Sequence, residues 1–228
     1  MVNLTKVKKF AGLFGILLAI PLTLILVFNS MEHRFDSLPY FGESIAVEKS
    51  ENGAVVYDTL HYKIPDFELL DQSGTVFHSD SLRGKIYLAA FYSTSSPHLG
   101  KITKRLLTVN FKYRDEPNIG LVCFTLNPAF DTPEVLHDYT SELRVDPDKF
   151  IFLTSADSTV LHVVENAYLN KDYVNSSSIW LVDTEGHLRG KYDGNLEVEI
   201  QRASEDMALL KKELDKKNYL DRKAASEK

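Results

Sequence analysis

Residues 85–100 read KIYLAAFYSTSSPHLG and join the pattern of a buried strand to that of a helix. The first eight residues are almost continuously apolar, as expected of a central strand covered on both faces. The polar run Ser93–Ser96 ends this strand. A helix is predicted over Leu99–Arg114, because apolar residues recur there at three- and four-residue spacing, at Ile102, Leu106, Val109 and Tyr113.

The same alternation of strand and helix patterns continues to the end of the chain. Further strands are predicted at 119–126, 150–153, 179–182 and 188–192. Further helices are predicted at 131–143 and 158–169. A last helix carries an apolar stripe that consists of Ile200, Ala203, Met207, Leu210 and Leu214. Asp131 or Thr132 can cap the helix that contains Pro133 in its first turn. The order predicts an α/β domain with a thioredoxin-like mixed sheet flanked by helices.

The predicted domain spans residues 63–215, where strand and helix patterns follow one another regularly. An alternating strand pattern begins near Ile64, and Asp71–Gly74 supplies a turn. Residues 29–62 are predicted to form a linker and lead-in hairpin with a short strand at Val55–Tyr57. Residues 216–228 are predicted to be a flexible tail.

A membrane anchor is predicted over residues 10–28, which contain 19 residues without a charge. A helix of this length spans about 28 Å, close to the hydrocarbon thickness of a bilayer. Lys6, Lys8 and Lys9 place residues 1–9 in the cytoplasm by the positive-inside rule. The chain is therefore expected to be a single-pass protein of the inner membrane, with its C-terminal domain in the periplasm or an equivalent space. A cleaved signal peptide is the alternative, although Val27–Ser30 offers a poor cleavage site.

Charge and cysteine content exclude several classes of function. The net charge is −6, and the basic residues of the N-terminal end are too few to neutralise a phosphate backbone, so nucleic acid is not an expected partner. Cys123 is the single cysteine. An intramolecular disulfide, a two-cysteine redox centre and a thiolate metal cage each need at least two cysteines, so none can form within one chain.

Several short motifs resemble the SCO/SenC family of membrane-tethered, thioredoxin-fold copper proteins that assist cytochrome oxidase assembly. The resemblance covers residues 63–212 and rests on motifs in the family's order: IPDF at 64–67, DQSG at 71–74, LRGKIY at 82–87, DTPEVL at 131–136 with Tyr139, LVDTEG at 181–186, and GKYDG at 190–194. Each motif is weak alone, but the series is specific for descent and fold.

The resemblance also implies where a copper site would lie. Family members hold copper with a Cys-Pro-x-x-Cys motif after the first central strand and with a later histidine. With Thr94 and Pro97 as fixed points, these ligand positions correspond to Ser96, Gly100 and Asn175. A serine hydroxyl, a glycine and an asparagine amide are poor substitutes for thiolates and imidazole as copper ligands. We therefore expect no copper cofactor, no metal site and no catalytic residue.

The resulting hypothesis is a protein that acts by binding, as an accessory factor in oxidase assembly or copper handling. Oxidase subunits or an active SCO-like protein are the expected partners, through the loop 93–100 and the segment near Asn175. Two alternatives remain open. Cys123 could serve a thiol redox enzyme, although its apolar neighbours favour a structural role. His98 could provide residual metal binding with His78 or His137, although a partly exposed residue at a helix start is the simpler interpretation.

Overall fold

The computed structural model describes residue 23 and residues 37–51, 54–157, 164, 166–168 and 177–226. The predicted anchor at 10–28 lies outside the described residues, apart from Thr23, and so do Asn175 and most of the predicted helix 158–169. In the part that is described, no helix has both the length and the apolar character needed to cross a bilayer. Residues 38–228 form a compact unit of their own.

The described residues form two sheets, whose strands the sequence patterns largely predicted. The first is the antiparallel hairpin of β1 (Ile45–Glu51) and β2 (Ala54–Leu60), which lies within residues 29–62. The second has seven strands in the order β4-β3-β7-β6-β5-β8-β9. Its members are β3 (Glu68–Asp71), β4 (Val76–His78), β5 (Ile86–Tyr92), β6 (Ile119–Thr125), β7 (Phe150–Thr154), β8 (Ser178–Val182) and β9 (Leu188–Asp193).

The centre of the large sheet is parallel and its edges are antiparallel. β5 pairs in parallel with β6, and β6 pairs in parallel with β7, while β8 runs antiparallel to β5. All seven residues of β5 are buried. This mixed topology is the thioredoxin-like arrangement expected from the order of the elements, because the hairpin β8–β9 must add antiparallel strands to a parallel centre.

Each face of the sheet carries its own core. Alternate residues of β5, such as Leu88 and Ala90, face α1 (Leu99–Lys112), α2 (Pro133–Leu143) and α3 (Glu197–Ser226). The intervening residues face a second cluster with Tyr168, the short 3-10 helix Ser79–Leu82 and aromatic residues from the N-terminal side, Phe41, Tyr62 and Phe67. This double coverage explains why the central strands are apolar without alternation.

Two tight turns follow the predicted sequences. In the turn 71–74, the Asp71 carboxylate accepts a hydrogen bond from the Ser73 N–H at 2.8 Å, and Gly74 adopts φ +77°. In the turn 183–186, the Asp183 carboxylate accepts from the Glu185 N–H at 2.9 Å, and Gly186 adopts φ +87°. Glycine is the residue that reaches this backbone region without strain, so both turns are encoded locally.

Two boundaries differ from the sequence patterns. The predicted strand near Ile64 begins only at Glu68, because residues 64–67 run along the second cluster before the chain pairs with β4. The predicted flexible tail from residue 216 is wrong, since α3 continues to Ser226. Residues 216–226 are rich in good helix formers, and Lys217 is tied to Glu185 at 3.1 Å.

Candidate functional site

The loop Ser93–His98 leaves the carboxyl end of β5 and enters α1, at the edge where parallel β5 and β6 both end. It is a tight polar turn: the Ser96 N–H donates to the Ser93 carbonyl at 2.9 Å, and the Leu99 N–H donates to the Ser96 carbonyl at 3.1 Å. Ligands of α/β sheets bind at such carboxyl ends, so the topology puts the loop in a functional position.

A buried carboxylate fixes this loop to the neighbouring strand. Asp131 is fully buried, and its oxygens accept hydrogen bonds from the Thr94 N–H at 3.3 Å, from the Thr94 hydroxyl and from the Thr125 hydroxyl. Its carbonyl accepts from the Thr154 hydroxyl at 2.7 Å. Asp131 therefore ties the loop after β5 to β6 and β7. We call Asp131 together with Thr94, Thr125 and Thr154 the loop latch.

The start of α2 resolves the choice between two predicted caps. Thr132 is the N-cap, and its hydroxyl accepts from the Val135 N–H at 3.5 Å, while Pro133 takes the first helical position. Asp131 instead turns inward to the latch. Asp131 and Thr132 were equal capping candidates in the sequence, and only the contacts of Asp131 with Thr94 and Thr125 reveal its buried role.

The positions that match the family's copper ligands lie on and after this loop. The Ser96 hydroxyl accepts from the His98 N–H at 3.4 Å. Gly100 is exposed on the first turn of α1, and a side chain added there would meet no heavy atom within 4 Å. Asn175 lies outside the described residues. Ser96 thus lies in the loop before α1, whereas Gly100 is the second residue of the helix.

The described donors around this loop do not fit a copper ion. His98 is exposed at the N-cap of α1 and makes no capping hydrogen bond through its side chain. His78, a suggested companion, lies on β4 and pairs with Glu68 at 3.0 Å, and His137 is exposed on α2. Across the described residues, no group of three or more His, Cys, Asp or Glu side chains could hold a metal ion. Soft thiolates, which favour Cu(I), are absent from the loop sequence.

Cys123 lies in the middle of β6 and is 3% exposed, packed in the core beneath α1 and α2. Burial raises the pKa of its thiol, so the protonated form dominates at neutral pH. The thiolate is the nucleophile in redox chemistry, and a buried thiol in apolar surroundings is inert. The geometry therefore favours the structural interpretation of Cys123 over the thiol redox alternative.

Tyr92 ends β5 between Cys123 and the loop latch. Burial raises the pKa of its phenol, and the nearby Cys123, Asp131 and Tyr139 raise it further. Its hydroxyl has no hydrogen-bond partner among the described residues. The Tyr92 phenol is thus enclosed in the core beneath the loop, close to the buried carboxylate of Asp131.

The sequence matches the SCO1/SenC family over residues 58–210. This chain belongs to the SCO1/SenC family. Among curated relatives, an SCO2-like protein of Rickettsia prowazekii is 33% identical over 161 residues, which cover 64% of this chain and 75% of the relative. The SCO1 homologue of Bacillus subtilis is 23% identical, with 62% of this chain and 79% of that protein covered.

Solved SCO structures share the fold of this SCO1/SenC member. A SCO1/SenC lipoprotein from Bacillus anthracis superposes with a TM-score of 0.59 at 20% identity, covering 65% of this chain and 95% of that one. ScoI of Arabidopsis thaliana, solved with copper bound, gives a TM-score of 0.53 at 19% identity and 65% and 98% coverage. At these identities the likeness establishes the thioredoxin-like fold and says nothing about the ligands.

Proposed function

We propose that this SCO1/SenC protein is a membrane-anchored, extracytoplasmic accessory factor that acts by binding during cytochrome oxidase assembly or copper handling, without a copper site of its own. The observation that carries the proposal is the side-chain chemistry at the three ligand positions. Ser96, Gly100 and Asn175 provide neither sulfur nor imidazole. The thioredoxin-like fold is retained around Ser96 and Gly100.

The family and its neighbours support the setting of this function. Relatives of the same family include a structure solved with copper bound and one described as a cytochrome c oxidase assembly protein. The charge-free stretch at 10–28 supports an anchor, and the preceding lysines support a domain outside the cytoplasm. A domain that lacks cysteines at the copper-ligand positions can still bind the proteins that take part in oxidase assembly.

The surface proposed for such a contact consists of the exposed Pro97, His98 and Phe130, and we call it the loop face. Phe130 is 56% exposed and directly precedes the buried Asp131 of the loop latch. Pro97 and His98 are exposed on the adjoining loop. Aromatic side chains, including phenylalanine, are enriched at protein interfaces.

Copper titration tests the absence of a metal site. We expect the full chain in detergent to bind neither Cu(I) nor Cu(II) stoichiometrically in competition with a chelator. The triple variant Ser96→Cys/Gly100→Cys/Asn175→His should bind one copper, because Gly100 has open space for a side chain and the variant restores two thiolates and an imidazole. Tight one-to-one binding by the wild type that is lost in His98→Ala would contradict the proposal.

Affinity purification tests the binding role. We expect oxidase subunits or a copper-carrying SCO protein to co-purify with the tagged full chain from its own membranes, as identified by mass spectrometry. Phe130→Glu should reduce their recovery at least tenfold if it removes a hot spot worth about 1.4 kcal/mol or more. Phe111→Glu is the matched control, because Phe111 is 67% exposed but lies near the end of α1 that is farther from the loop. Equal recovery with both variants would show that the loop face is not the interface.

A further inference from the structure

The last helix presents a second surface, on the side opposite to the core. α3 is 30 residues long, and its buried stripe consists of Ile200, Ala203, Met207 and Leu210 with the half-buried Leu214. Residues 215–226 are all exposed or nearly so, although they remain helical. The final ten residues alone extend about 15 Å.

Five exposed side chains align on this outer side. At 100° per residue, positions 212, 216, 219, 220 and 223 fall within one face, roughly opposite the buried stripe. We call this face the basic stripe; it consists of Lys212, Lys216, Tyr219, Leu220 and Lys223. Tyr219 is 66% exposed and Leu220 is 53% exposed, and neither contributes to the core.

The lysines of the basic stripe differ from their neighbours on the same helix. Lys211 contacts Asp215 at 2.7 Å and Glu116 at 3.3 Å, and Lys217 contacts Glu185 at 3.1 Å. Within the described residues, Lys212, Lys216 and Lys223 have no ion-pair partner. The basic stripe therefore combines three lysines that have no described ion-pair partner with an exposed tyrosine and an exposed leucine. This local positive charge contrasts with the net charge of −6 of the whole chain.

The chain enters the domain beside this part of α3. Arg189 donates hydrogen bonds to the carbonyls of Leu38 at 2.8 Å and Pro39 at 3.3 Å. Tyr40 lines a small cleft together with Leu214 and Lys217 of α3. The N-terminal segment is thus held next to the point from which the basic stripe extends.

With the proposed anchor in the bilayer, the short tether would keep this corner of the domain near the lipid. Only residues 29–36 separate the predicted anchor from Ser37, and eight residues span at most about 29 Å when fully extended. Lysines near an anionic bilayer are attracted to it, and a tyrosine and a leucine are suited to the interfacial region.

We propose that the basic stripe rests on the anionic surface of the bilayer and thereby orients the domain. The proposal rests on the anchor in the proposed function. Lys212, Lys216 and Lys223 would contact lipid phosphates, and Tyr219 and Leu220 would enter the headgroup region. An acidic protein partner would satisfy the charges equally, but the tether favours the bilayer because it keeps this surface close to the lipid whether or not a partner is present.

A fluorescent label at the stripe tests the contact. The full chain carrying Leu220→Cys is labelled with an environment-sensitive dye and reconstituted into vesicles of phosphatidylcholine alone or with phosphatidylglycerol. The native Cys123 is buried and does not compete for the label. We expect a blue shift of the emission, and quenching by nitroxide-labelled lipids, in the anionic vesicles only. Raising the salt from about 0.1 M to 1 M, which shortens the Debye length from about 10 Å to 3 Å, should reverse the shift.

Matched variants test whether the emission shift depends on the basic stripe or only on the net charge of the domain. Lys216→Glu/Lys223→Glu should abolish the shift, whereas Lys101→Glu/Lys104→Glu, with the same change in charge on exposed α1 positions, should leave it intact. A label at Val198→Cys, 68% exposed at the other end of α3, should show no shift. Equal emission from position 220 in both lipids would overturn the proposal, and a shift seen only after addition of solubilised membrane proteins would assign the stripe to a protein partner.

Carbonate extraction of the same vesicles tests the anchor separately. A chain that resists extraction but shows no lipid-dependent emission would contradict the basic stripe while leaving the proposed anchor in place. A chain that is extracted would contradict the anchor, and its emission with anionic vesicles would still report whether the stripe binds lipid.

Discussion

Asp131 shows how one side chain organises the loop at the carboxyl edge of the sheet. Its carboxylate is fully buried and accepts hydrogen bonds from Thr94 and Thr125. A buried carboxylate is tolerated when its oxygens are hydrogen-bonded, and its loss leaves buried hydroxyls without partners. The loop after β5 therefore depends on a residue that lies 37 positions away in the sequence.

Removing this carboxylate should destabilise the domain. We expect Asp131→Ala to lower the free energy of unfolding by about 2–3 kcal/mol, because it leaves the hydroxyls of Thr94 and Thr125 unsatisfied. Chemical denaturation of the full chain in detergent, followed by Trp180 fluorescence, measures the change. Asp138→Ala on the exposed side of α2 is the control and should change stability by less than about 0.5 kcal/mol. Equal effects of the two substitutions would show that the latch contributes little.

The last helix, α3, has a first half that packs in the core and a second half that is exposed. Its first half packs against the sheet through Ala203 and Met207, both 0% exposed. Its second half contributes almost nothing to the core, yet it remains helical to Ser226. The proposed contact of the basic stripe with lipid would give Tyr219 and Leu220 of this exposed half a binding role.

Truncating a side chain should therefore change the free energy of unfolding more in the first half of α3 than in the second. Met207→Ala should lower the free energy of unfolding by about 2–4 kcal/mol, because it opens a cavity in the core. Leu220→Ala should leave it within about 0.5 kcal/mol of the wild type. Denaturant titration of both variants in detergent, without lipid vesicles, measures the difference. A large loss with Leu220→Ala would mean that the end of α3 packs on the domain.

For the whole molecule, a buried ionic cluster connects the N-terminal segment to the body. Arg189 is 4% exposed and contacts Asp183 at 3.0 Å, while its other guanidinium nitrogens reach the carbonyls of Leu38 and Pro39. Its ring contact with Tyr40 has a cation-to-centroid distance of 4.1 Å. The position where the chain enters the domain is thus fixed by contacts among the N-terminal segment, β9 and the β8–β9 turn.

Local patterns predicted much of this architecture. The unbroken apolar runs of β5 and β6, the three- and four-residue spacing in α1 and the aspartate-glycine turns each depend on neighbouring residues, so they could be read before any tertiary contact was known. The missed boundaries have a different cause: residues 64–67 follow the second core cluster rather than a strand, and the end of α3 is held by Lys217 and its own helix propensity.

The family, the order of the strands from β5 to β9 and the absence of thiolates at the loop could all be read from the linear chain, because motifs and residue identities are properties of the sequence. The tertiary structure alone decided that Asp131 serves the loop latch rather than the helix cap, that Cys123 is enclosed in the core, and that the basic stripe extends from the corner where the chain enters. These facts depend on contacts between residues far apart in sequence, and such contacts exist only once the sheet has brought its layers together.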